Sequence, residues 1–504
     1  MPSSARRARS LWTAVAIAAL GLFFVATVSA GSVIPTPISD DPYTDGGSAH
    51  QHKTQLEPDS FAFGQTIVAL TQSGRWFGGG GSSNLVFSSS QNGGRTWTTG
   101  GLPGTTINSG GPWPRISDPS IAFDPQDNVW LALGLGIDAG GSGHILLVNR
   151  STDGGVTWAN PVVAGTAPGT FWDKTWITCD TWAESPHYGN CYIEFDDASA
   201  GDRMSMVTST DGGLTWGSVL APSGCSSGLG GQPVVQPNGN VIVPYSEDGS
   251  AQGSFRSTNG GTSWTDCRTV TTVTEHGVAA NIRTFSLPSA EVSGDGTVYL
   301  AWQDCRFRTG CGSNDIVYST TTDGLTWSPV TRIPIDPTNS TVDHFLPGIA
   351  VDKNTAGSST HVAVAYYYFP VANCTTSTCD MTVGFTSSLD GGATWTPGYR
   401  IGGPMKVPWI ARTDQGYMVG DYISTSFTGD GKAHPVFSLA KPPASGVNGS
   451  CYPNNSGCRQ RLTSVSIDVT QPPPVAPLPT RREPIARGLH RHPQETPLPP
   501  RTAN

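Results

Sequence analysis

Acidic residues begin strand-like segments at several points along the chain, and paired carboxyl groups are what general acid–base catalysis requires. The segments are LEPD with Glu57, ISDPS with Asp118, WDKTW with Asp173, DHFLPG with Asp343 and VGDYIS with Asp421. Two of Asp118, Asp173 and Asp421, facing each other across a cleft, would suit glycoside hydrolysis, in which one carboxyl group protonates the leaving oxygen. Asp118 also has a structural interpretation, because aspartate often fixes a bend before proline.

Cationic and aromatic residues near these carboxyl groups are candidates for binding a sugar. Lys174 follows Asp173 directly, and the flanking Trp172 offers an aromatic face on which a sugar ring can stack. Arg115 lies three residues before Asp118, where its guanidinium group could bind an anionic substituent in bidentate fashion. The aromatic flank would equally suit packing between sheets.

A nearly identical octapeptide recurs six times, and this repetition organises the rest of the chain. The copies are SQNGGRTW at 90–97, STDGGVTW at 151–158, STDGGLTW at 209–216, STNGGTSW at 257–264, TTTDGLTW at 320–327 and SLDGGATW at 388–395. Serine, threonine and aspartate side chains accept hydrogen bonds from nearby backbone N–H groups, and glycine permits positive φ. Asn92 and Asn259 replace the aspartate in two copies, and Thr322 takes its position in a shifted fifth copy, so we interpret these octapeptides as structural turns.

The spacing of the repeats predicts an all-β fold. Successive motif tryptophans lie 61, 58, 48, 63 and 68 residues apart, which suits a four-stranded blade with its loops. A seventh strand-rich unit follows the last octapeptide. We therefore expect a seven-bladed β-propeller over residues 55–470, with six blades as the alternative if the two ends of the chain complete one blade together.

The octapeptides resemble the Asp-box repeat of the sialidase (neuraminidase) superfamily, whose pattern is S-x-D-x-G-x-T-W. The resemblance covers roughly Glu57 to Val469 and implies a sialidase-like β-propeller. Active sialidases also carry an F/Y-R-I-P segment ahead of the first Asp box, with an arginine that binds the sialic acid carboxylate. Here Arg332-Ile333-Pro334 follows Thr331 and lies after the fifth copy. We interpret it as an outer strand, so the family's arginine triad cannot be carried over.

A mechanism of the sialidase type implies a tyrosine nucleophile, a glutamate that polarises it and arginines that hold an anionic sugar. Tyr422 or Tyr417 could supply the tyrosine, and Glu57 completes the acidic set. Arg283 or Arg412 could clamp the sugar carboxylate, with Arg115 assisting.

The two ends of the chain and its cysteines predict export. Residues 1–30 have a basic start, an apolar stretch and a small-residue cleavage site, as in a signal peptide, although an uncleaved anchor is an alternative. Residues 31–54 form a lead-in, and the proline-rich residues 471–504 a disordered tail. The ten cysteines lie close together in sequence and suggest five local disulfides: Cys179–Cys191, Cys225–Cys267, Cys305–Cys311, Cys374–Cys379 and Cys451–Cys458.

The acidic balance of the chain limits the classes of partner. A net charge of −9 at pH 7 argues against nucleic acid, which needs a basic face. We expect no cofactor and no catalytic metal, with Asp196-Asp197 as a candidate for structural calcium. The chain is expected to be a secreted monomer without a membrane span after leader cleavage, acting on an extracellular glycan or polysaccharide.

Three functions are consistent with these features. The leading hypothesis is a sialidase-like glycoside hydrolase that cleaves terminal sugars. A non-catalytic propeller that binds glycan or protein is the first alternative, because the family's arginine segment is missing. A polysaccharide lyase on the same fold is the second.

Overall fold

The computed structural model describes residues 33–47, 50–225, 227–444, 450–451 and 457–471. Thirty strands and five short 3-10 helices make up its regular structure, so the all-β prediction is confirmed. Within these residues no helix is long and apolar enough to cross a membrane. The expected leader and nearly all of the expected tail lie outside the described residues.

The strands follow one another as seven antiparallel runs, each of three or four consecutive strands. The first three runs are β2 (His50–Phe63), β3 (Thr66–Trp76), β4 (Ser82–Ser90) and β5 (Thr98–Gly101); β6 (Arg115–Asp124), β7 (Val129–Ile137), β8 (Gly143–Ser151) and β9 (Val162–Thr166); and β10 (Trp172–Cys179), β11 (Cys191–Asp197) and β12 (Arg203–Ser209). The fourth and fifth are β13 (Val234–Val235), β14 (Val241–Glu247), β15 (Ala251–Ser257) and β16 (Thr265–Thr272); and β17 (Ser289–Val292), β18 (Val298–Asp304), β19 (Asp315–Thr321) and β20 (Thr331–Arg332).

The last two runs enclose a separate hairpin and bring the two ends of the described chain together. The sixth run is β21 (Asp343–Val351), β22 (Val362–Phe369), β23 (Asp380–Ser388) and β24 (Tyr399–Lys406), and the hairpin is β25 (Ala411–Thr413) and β26 (Gly416–Met418). The seventh run is β27 (Ser424–Phe427), β28 (Lys432–Ala440) and β29 (Gln460–Ser464), to which β1 (Thr36–Pro37) and β30 (Ile467–Asp468) add. The 3-10 helices are Ile107–Ser109, Ala198–Ala200, Thr309–Cys311, Gly357–Ser359 and Val407–Trp409.

The first strand of each run contacts the first strand of the next run, and we call these seven strands the first strands. Strand β2 contacts β6, β6 contacts β10, and the series continues through β13, β17, β21 and β27. Strand β27 in turn contacts β2. Single bridges, Thr54 to Gln460 and Ser82 to Ile116, join the seventh, first and second runs into one sheet. Among the described residues no sheet closes on itself through hydrogen bonds.

A bulge interrupts four of the first strands at equivalent positions. The pairing register shifts between Leu56 and Asp59, Ser117 and Ser120, Asp173 and Trp176, and Phe345 and Gly348. The residue inside each bulge has positive φ although it is not glycine: Glu57 (φ 56), Asp118 (φ 48), Lys174 (φ 55) and Leu346 (φ 50). Such bulges redirect a side chain out of the regular alternation of a strand, and they concentrate at functional sites.

The octapeptide turns are held by their own side chains, as the sequence predicts. In the second copy the Asp153 Oδ1 atom accepts from the Val156 and Thr157 N–H groups at 3.1 and 2.9 Å, and the Ser151 Oγ atom accepts from the Gly155 N–H at 3.0 Å. The expectation for the fifth copy was wrong. Asp323, and not Thr322, accepts from the backbone there, because the turn is one residue shorter between its aspartate and tryptophan.

Each turn also contacts the preceding run, and its tryptophan packs between the two runs. Gln91 Nε2 donates to the Asp153 carbonyl oxygen at 2.7 Å, which ties the first run to the second. The indole of Trp158 packs against an apolar cluster that both runs share, and its ring lies 5.8 Å from that of Phe87. The other motif tryptophans pack in the same way against clusters that neighbouring runs share.

All five predicted disulfides are formed: Cys179–Cys191, Cys225–Cys267, Cys305–Cys311, Cys374–Cys379 and Cys451–Cys458. Their short sequence separations, from 5 to 42 residues, made the pairing predictable. Disulfides form and persist chiefly in oxidising compartments.

We expect Asp153→Ala to lower the free energy of unfolding by about 1 kcal/mol, comparable with the loss of a helix N-cap. The change leaves the Val156 and Thr157 N–H groups without their acceptor. Asp153→Asn should cost clearly less, since the Asn92 Oδ1 atom accepts from the Thr96 N–H in the first copy at 3.0 Å. Urea unfolding of both variants measures the difference, and equal losses would contradict this role.

Candidate functional site

Five charged residues from distant parts of the chain meet where the first strands converge. Glu57, Asp118 and Lys174 come from the bulges of β2, β6 and β10. Arg283 comes from the loop between β16 and β17, and Asp421 lies three residues before the start of β27. All five are among the predicted site residues, and all are largely or fully buried; the Arg283 side chain is 11% exposed.

Asp421 forms the anionic centre of this group. The Arg283 Nε and Nη2 atoms donate to its Oδ1 and Oδ2 atoms at 2.8 and 2.5 Å, a bidentate pair. Lys174 Nζ also donates to Oδ2. Burial by itself would raise the pKa of Asp421, but the charges of Arg283 and Lys174 outweigh it and lower the pKa below its usual range. Asp421 is therefore ionised at neutral pH.

Glu57 lies beside Asp421, and the backbones of the two segments that carry them pack closely together. The Asp421 N–H donates to Glu57 Oε1 at 3.3 Å, and Gln72 Nε2 donates to Oε2. Gly420 has a φ of 138°, and a Cβ atom there would lie 2.6 Å from the Glu57 Cα atom, so only glycine allows this approach. Burial, followed by the charge of Asp421, raises the pKa of Glu57 to about 8.

Asp118 is held by a neighbour on its own strand, β6, and by the backbone of β10. Its Oδ2 atom accepts from the Lys174 N–H at 2.9 Å, and Ser117 Oγ donates to its Oδ1 atom at 3.2 Å. Burial, followed by the charge of Asp173, raises the pKa of Asp118 to about 6. Asp173 itself is half-buried and accepts from the Lys174 N–H at 3.1 Å.

Tyr422 is buried behind the carboxyl groups and is hydrogen bonded to the backbone. Its hydroxyl group donates to the Pro119 carbonyl oxygen at 2.9 Å, and its ring meets Trp176 edge-on at 5.0 Å. Burial, followed by the nearby acidic groups of Glu57 and Asp118, raises its pKa well above the usual value. The phenolate form is therefore strongly disfavoured.

Sequence reasoning missed Arg75, which is buried near the same group. Its Nη1 atom donates to the Gly81 carbonyl oxygen at 2.7 Å and lies 3.4 Å from Gln72 Oε1. Burial, and then repulsion from Arg283, lowers the pKa of Arg75 to about 10. The available signal was that Arg75 is the first arginine after the leader, in the run that also carries Glu57.

Three of the predicted binding residues lie elsewhere. Trp172 is buried in the core with its ring 4.4 Å from that of Phe195, which leaves no face for a sugar. Arg115 donates to the carbonyl oxygens of residues 78–80 and lies 4.4 Å from the ring of Trp76. Arg412 is exposed on hairpin β25–β26, 5.8 Å from the Tyr417 ring.

A small cavity lies among the first strands of the runs, with Trp176 in its lining. Its volume is about 40 Å³, and Asp59, Glu291 and Lys353 contribute its charged lining. Burial raises the pKa of Asp59 and of Glu291 to about 7 and lowers that of Lys353. This volume is large enough to hold water molecules.

The site therefore holds carboxyl groups in different protonation states at neutral pH. Glu57 keeps its proton, Asp421 is ionised, and Asp118 is mostly ionised. Separation of neighbouring carboxyl pKa values is how acid and base roles are divided in many active sites. Candidate metal-ligand groups among the described residues are Asp45–His50–His52 and Asp315–Asp336–His344; neither belongs to this site or includes Asp196 or Asp197.

We expect the free energy of unfolding of the wild type, measured relative to that of the Glu57→Gln variant, to fall as pH rises from about 5 to 9. A raised carboxyl pKa means that the folded state binds the proton more tightly than the unfolded state. The resulting stabilisation is complete below the unfolded pKa and is lost as pH rises through about 8. Since a pKa difference of one is worth about 1.4 kcal/mol, the change should exceed about 1 kcal/mol in urea unfolding. A constant difference between the two proteins would contradict it.

The comparison with known sequences finds a short match only. No family model matches the chain. It is 32% identical over 179 residues to the xyloglucanase Xgh74A of Acetivibrio thermocellus, which covers 32% of this chain. The chain spans about a fifth of the length of this curated relative, since 19% of the latter is covered.

Solved structures similar to this chain include glycoside hydrolases. The Hadza microbial sialidase Hz136 has 11% identity and a TM-score of 0.47, with 83% of this chain and 66% of that chain covered. The α-L-arabinofuranosidase Arb93A of Fusarium graminearum has 14% identity and a TM-score of 0.44, with 88% and 99% covered. A protein of unknown function from Dyadobacter fermentans has 18% identity and a TM-score of 0.43, with 70% and 99% covered. Activity therefore has to be argued from the site.

Proposed function

We propose that this chain is an exported glycoside hydrolase that cleaves terminal sugars of extracellular glycans. The observation that carries the proposal is the group of three buried carboxyl groups at the convergence of the first strands. Glu57 holds a proton at neutral pH beside the ionised Asp421 and the mostly ionised Asp118. Export is supported by the five disulfides and by the leader expected from the sequence.

The fold within this proposal is a seven-bladed β-propeller. Seven runs of strands, first-strand contacts that return from β27 to β2, and tryptophans wedged between neighbours all support it. In a propeller, ligands bind where the inner strands converge, which is where the charged group lies.

The carboxyl groups divide the chemical roles in this mechanism. Glu57, with its pKa near 8, donates a proton to the glycosidic oxygen as the bond breaks. Asp118, with its pKa near 6, either takes a proton from a water molecule that attacks the anomeric carbon, or attacks that carbon itself to form an intermediate that water then hydrolyses. Asp421 touches both cations and so holds Lys174 and Arg283 in position, where they can donate to sugar hydroxyl or carboxylate groups.

The sialidase-type route through Tyr422 has less support than the route through two carboxyl groups. A nucleophilic tyrosine needs a partner that takes its proton, whereas the Tyr422 hydroxyl group donates to the Pro119 carbonyl oxygen. The cations Arg75, Arg283 and Lys174 nevertheless suit a sugar that carries a carboxylate. We accordingly favour acidic sugars among the substrates to be tested.

Glycan binding without cleavage is the second candidate function. One observation favours it: the charged groups of Asp421, Lys174 and Arg283 satisfy one another, and Lys174 and Asp421 have almost no exposed side-chain surface. Such a network can hold the fold together without reacting.

Incubation of the full-length oxidised protein with a panel of glycans and polysaccharides tests the proposal. The double variant Glu57→Gln/Asp118→Asn serves as the matched control for contaminating activity. New reducing ends released by the wild type alone would support hydrolysis, whereas products that absorb in the ultraviolet would identify a lyase. Retained glycan binding with neither product would establish the binding function and reject the hydrolase.

A further inference from the structure

Two histidines and one aspartate meet outside the candidate site, where the segment before β2 folds back onto that strand. His50 and His52 alternate on β2, so their side chains project from the same face of the strand. Asp45 belongs to the preceding segment, and one potential ligand atom of each residue lies within 4.8 Å of one from each of the others. The side chains of His50, His52 and Asp45 are 10%, 17% and 17% exposed, so ions in solution can reach them.

The two imidazole rings converge on Asp45. His50 Nδ1 lies 2.7 Å from Asp45 Oδ2, and His52 Nε2 lies 2.6 Å from the Asp45 carbonyl oxygen. Ser83 Oγ donates to Asp45 Oδ2 at 2.9 Å, and the ring of Trp76 stacks on that of His50 at 4.1 Å. Two imidazole nitrogens from one strand and a carboxylate from another segment therefore face one small volume.

Two buried acceptor atoms of this group have no hydrogen-bond partner: Asp45 Oδ1 and His52 Nδ1. When a neutral His52 donates from Nε2 to the Asp45 carbonyl oxygen, its Nδ1 atom carries a lone pair. That lone pair lies 3.7 Å from Asp41 Oδ2, which is also an acceptor. A metal ion on Nε2 would move the hydrogen to Nδ1, beside the Asp41 carboxylate. Metal-binding histidines are commonly oriented by a carboxylate in this way.

We propose that Asp45, His50 and His52 bind a zinc ion that fastens the segment before β2 to the first run. Zn²⁺ binds histidine nitrogen and carboxylate oxygen, and sites with two histidines, one carboxylate and a water molecule are among its common ligand sets. The partial exposure of the three side chains leaves access for that water. Ca²⁺ is a poor match because it prefers six to eight oxygen ligands.

The charges around the group favour a cation. Among the described residues no lysine or arginine forms a salt bridge with Asp41 or Asp45, and Lys53 Nζ donates to the Asp41 carbonyl oxygen at 2.8 Å. Two carboxylates and one ammonium group leave the surroundings negative while both histidines are neutral. The group around His344 differs in this respect, because arginines already neutralise its aspartates.

Protonated histidines are the competing interpretation. Imidazolium rings at positions 50 and 52 would donate to Asp45 and Asp41 and would need no metal. The two interpretations differ at neutral pH in the metal content of the purified protein and in its response to a chelator.

Metal content of the tag-free, full-length oxidised protein decides between them. We expect about one zinc per chain by mass spectrometry after expression with Zn²⁺ and dialysis at neutral pH, and less than a tenth of that in the double variant His50→Gln/His52→Gln. The control His361→Gln should retain the metal, since His361 Nδ1 lies 3.9 Å from a single carboxylate. EDTA should lower the Tm of the wild type and added Zn²⁺ should restore it, whereas the Tm of the double variant should respond to neither.

Asp41→Asn tests the orienting carboxylate. Asparagine keeps an oxygen that can accept from the Lys53 N–H, as Asp41 Oδ2 does at 2.7 Å, but it removes the charge beside His52 Nδ1. We expect the zinc affinity to fall by about 10–100-fold, the range for loss of a residue that orients a metal ligand.

Two results would overturn the assignment. One is less than a tenth of an equivalent of zinc, copper, cobalt or nickel in the wild type. The other is a zinc content in the double variant equal to that of the wild type. If the double variant fails to fold, the zinc content of the wild type and the response of its Tm to EDTA still decide the question.

Discussion

Replacement of Asp421 by alanine should lower the free energy of unfolding by about 3–5 kcal/mol, the range found when one partner of a buried ion pair is removed. Asp421 is the shared counter-ion of Lys174 and Arg283, whose side chains are only 2% and 11% exposed. Without it, two buried cations lose their nearest negative charge. Urea unfolding at pH 7 measures the loss.

An exposed ion pair provides the matched control for this change. Asp380 and Lys406 lie 2.6 Å apart with side chains 43% and 40% exposed. Asp380→Ala should cost no more than about 1 kcal/mol, because water already screens that pair. Similar losses in Asp421→Ala and Asp380→Ala would show that the buried charges are not the source of stability.

The second large effect concerns catalysis and depends on the proposed hydrolysis. On any glycan that the wild type cleaves, Asp118→Asn should lower kcat/KM by about 10²–10⁴-fold, the range for loss of a positioned acid or base. Asparagine has the size of aspartate and keeps an oxygen that can accept from the Lys174 N–H, so the fold should persist. The Tm and near-ultraviolet circular dichroism check that point.

The pH profile distinguishes a reacting Asp118 from a structural one. The kcat/KM of the wild type should rise through about pH 6, as Asp118 ionises, and fall through about pH 8, as Glu57 loses its proton. Tyr422→Phe serves as the control, since it keeps the ring against Trp176 and removes only the hydroxyl group. Full activity in Asp118→Asn with loss in Tyr422→Phe would reverse the assignment in favour of the tyrosine route.

Local features of the fold could be predicted from the sequence because their interactions connect neighbouring residues. The Asp153 carboxylate binds N–H groups three and four residues later, so the octapeptide alone contains the whole turn. The disulfides join cysteines that are near in sequence, and the spacing of the octapeptides predicted the all-β fold. The sequence predicted that Glu57 and Asp118 begin strand-like segments, but not the positive φ values that direct these side chains into the site.

Only the tertiary structure decided which charges meet and what state each one takes. Lys174 and Asp421 are separated by 247 residues and Arg283 and Asp421 by 138, and no local pattern encodes such a pairing. The position of Trp172 in the core, and of Arg75 near the site, depends on which face of each strand turns toward its neighbours. The residue types of Glu57, Asp118 and Asp421 establish that each can carry a proton. Burial and the distance to the nearest cation, which exist only in the folded chain, determine which of them does.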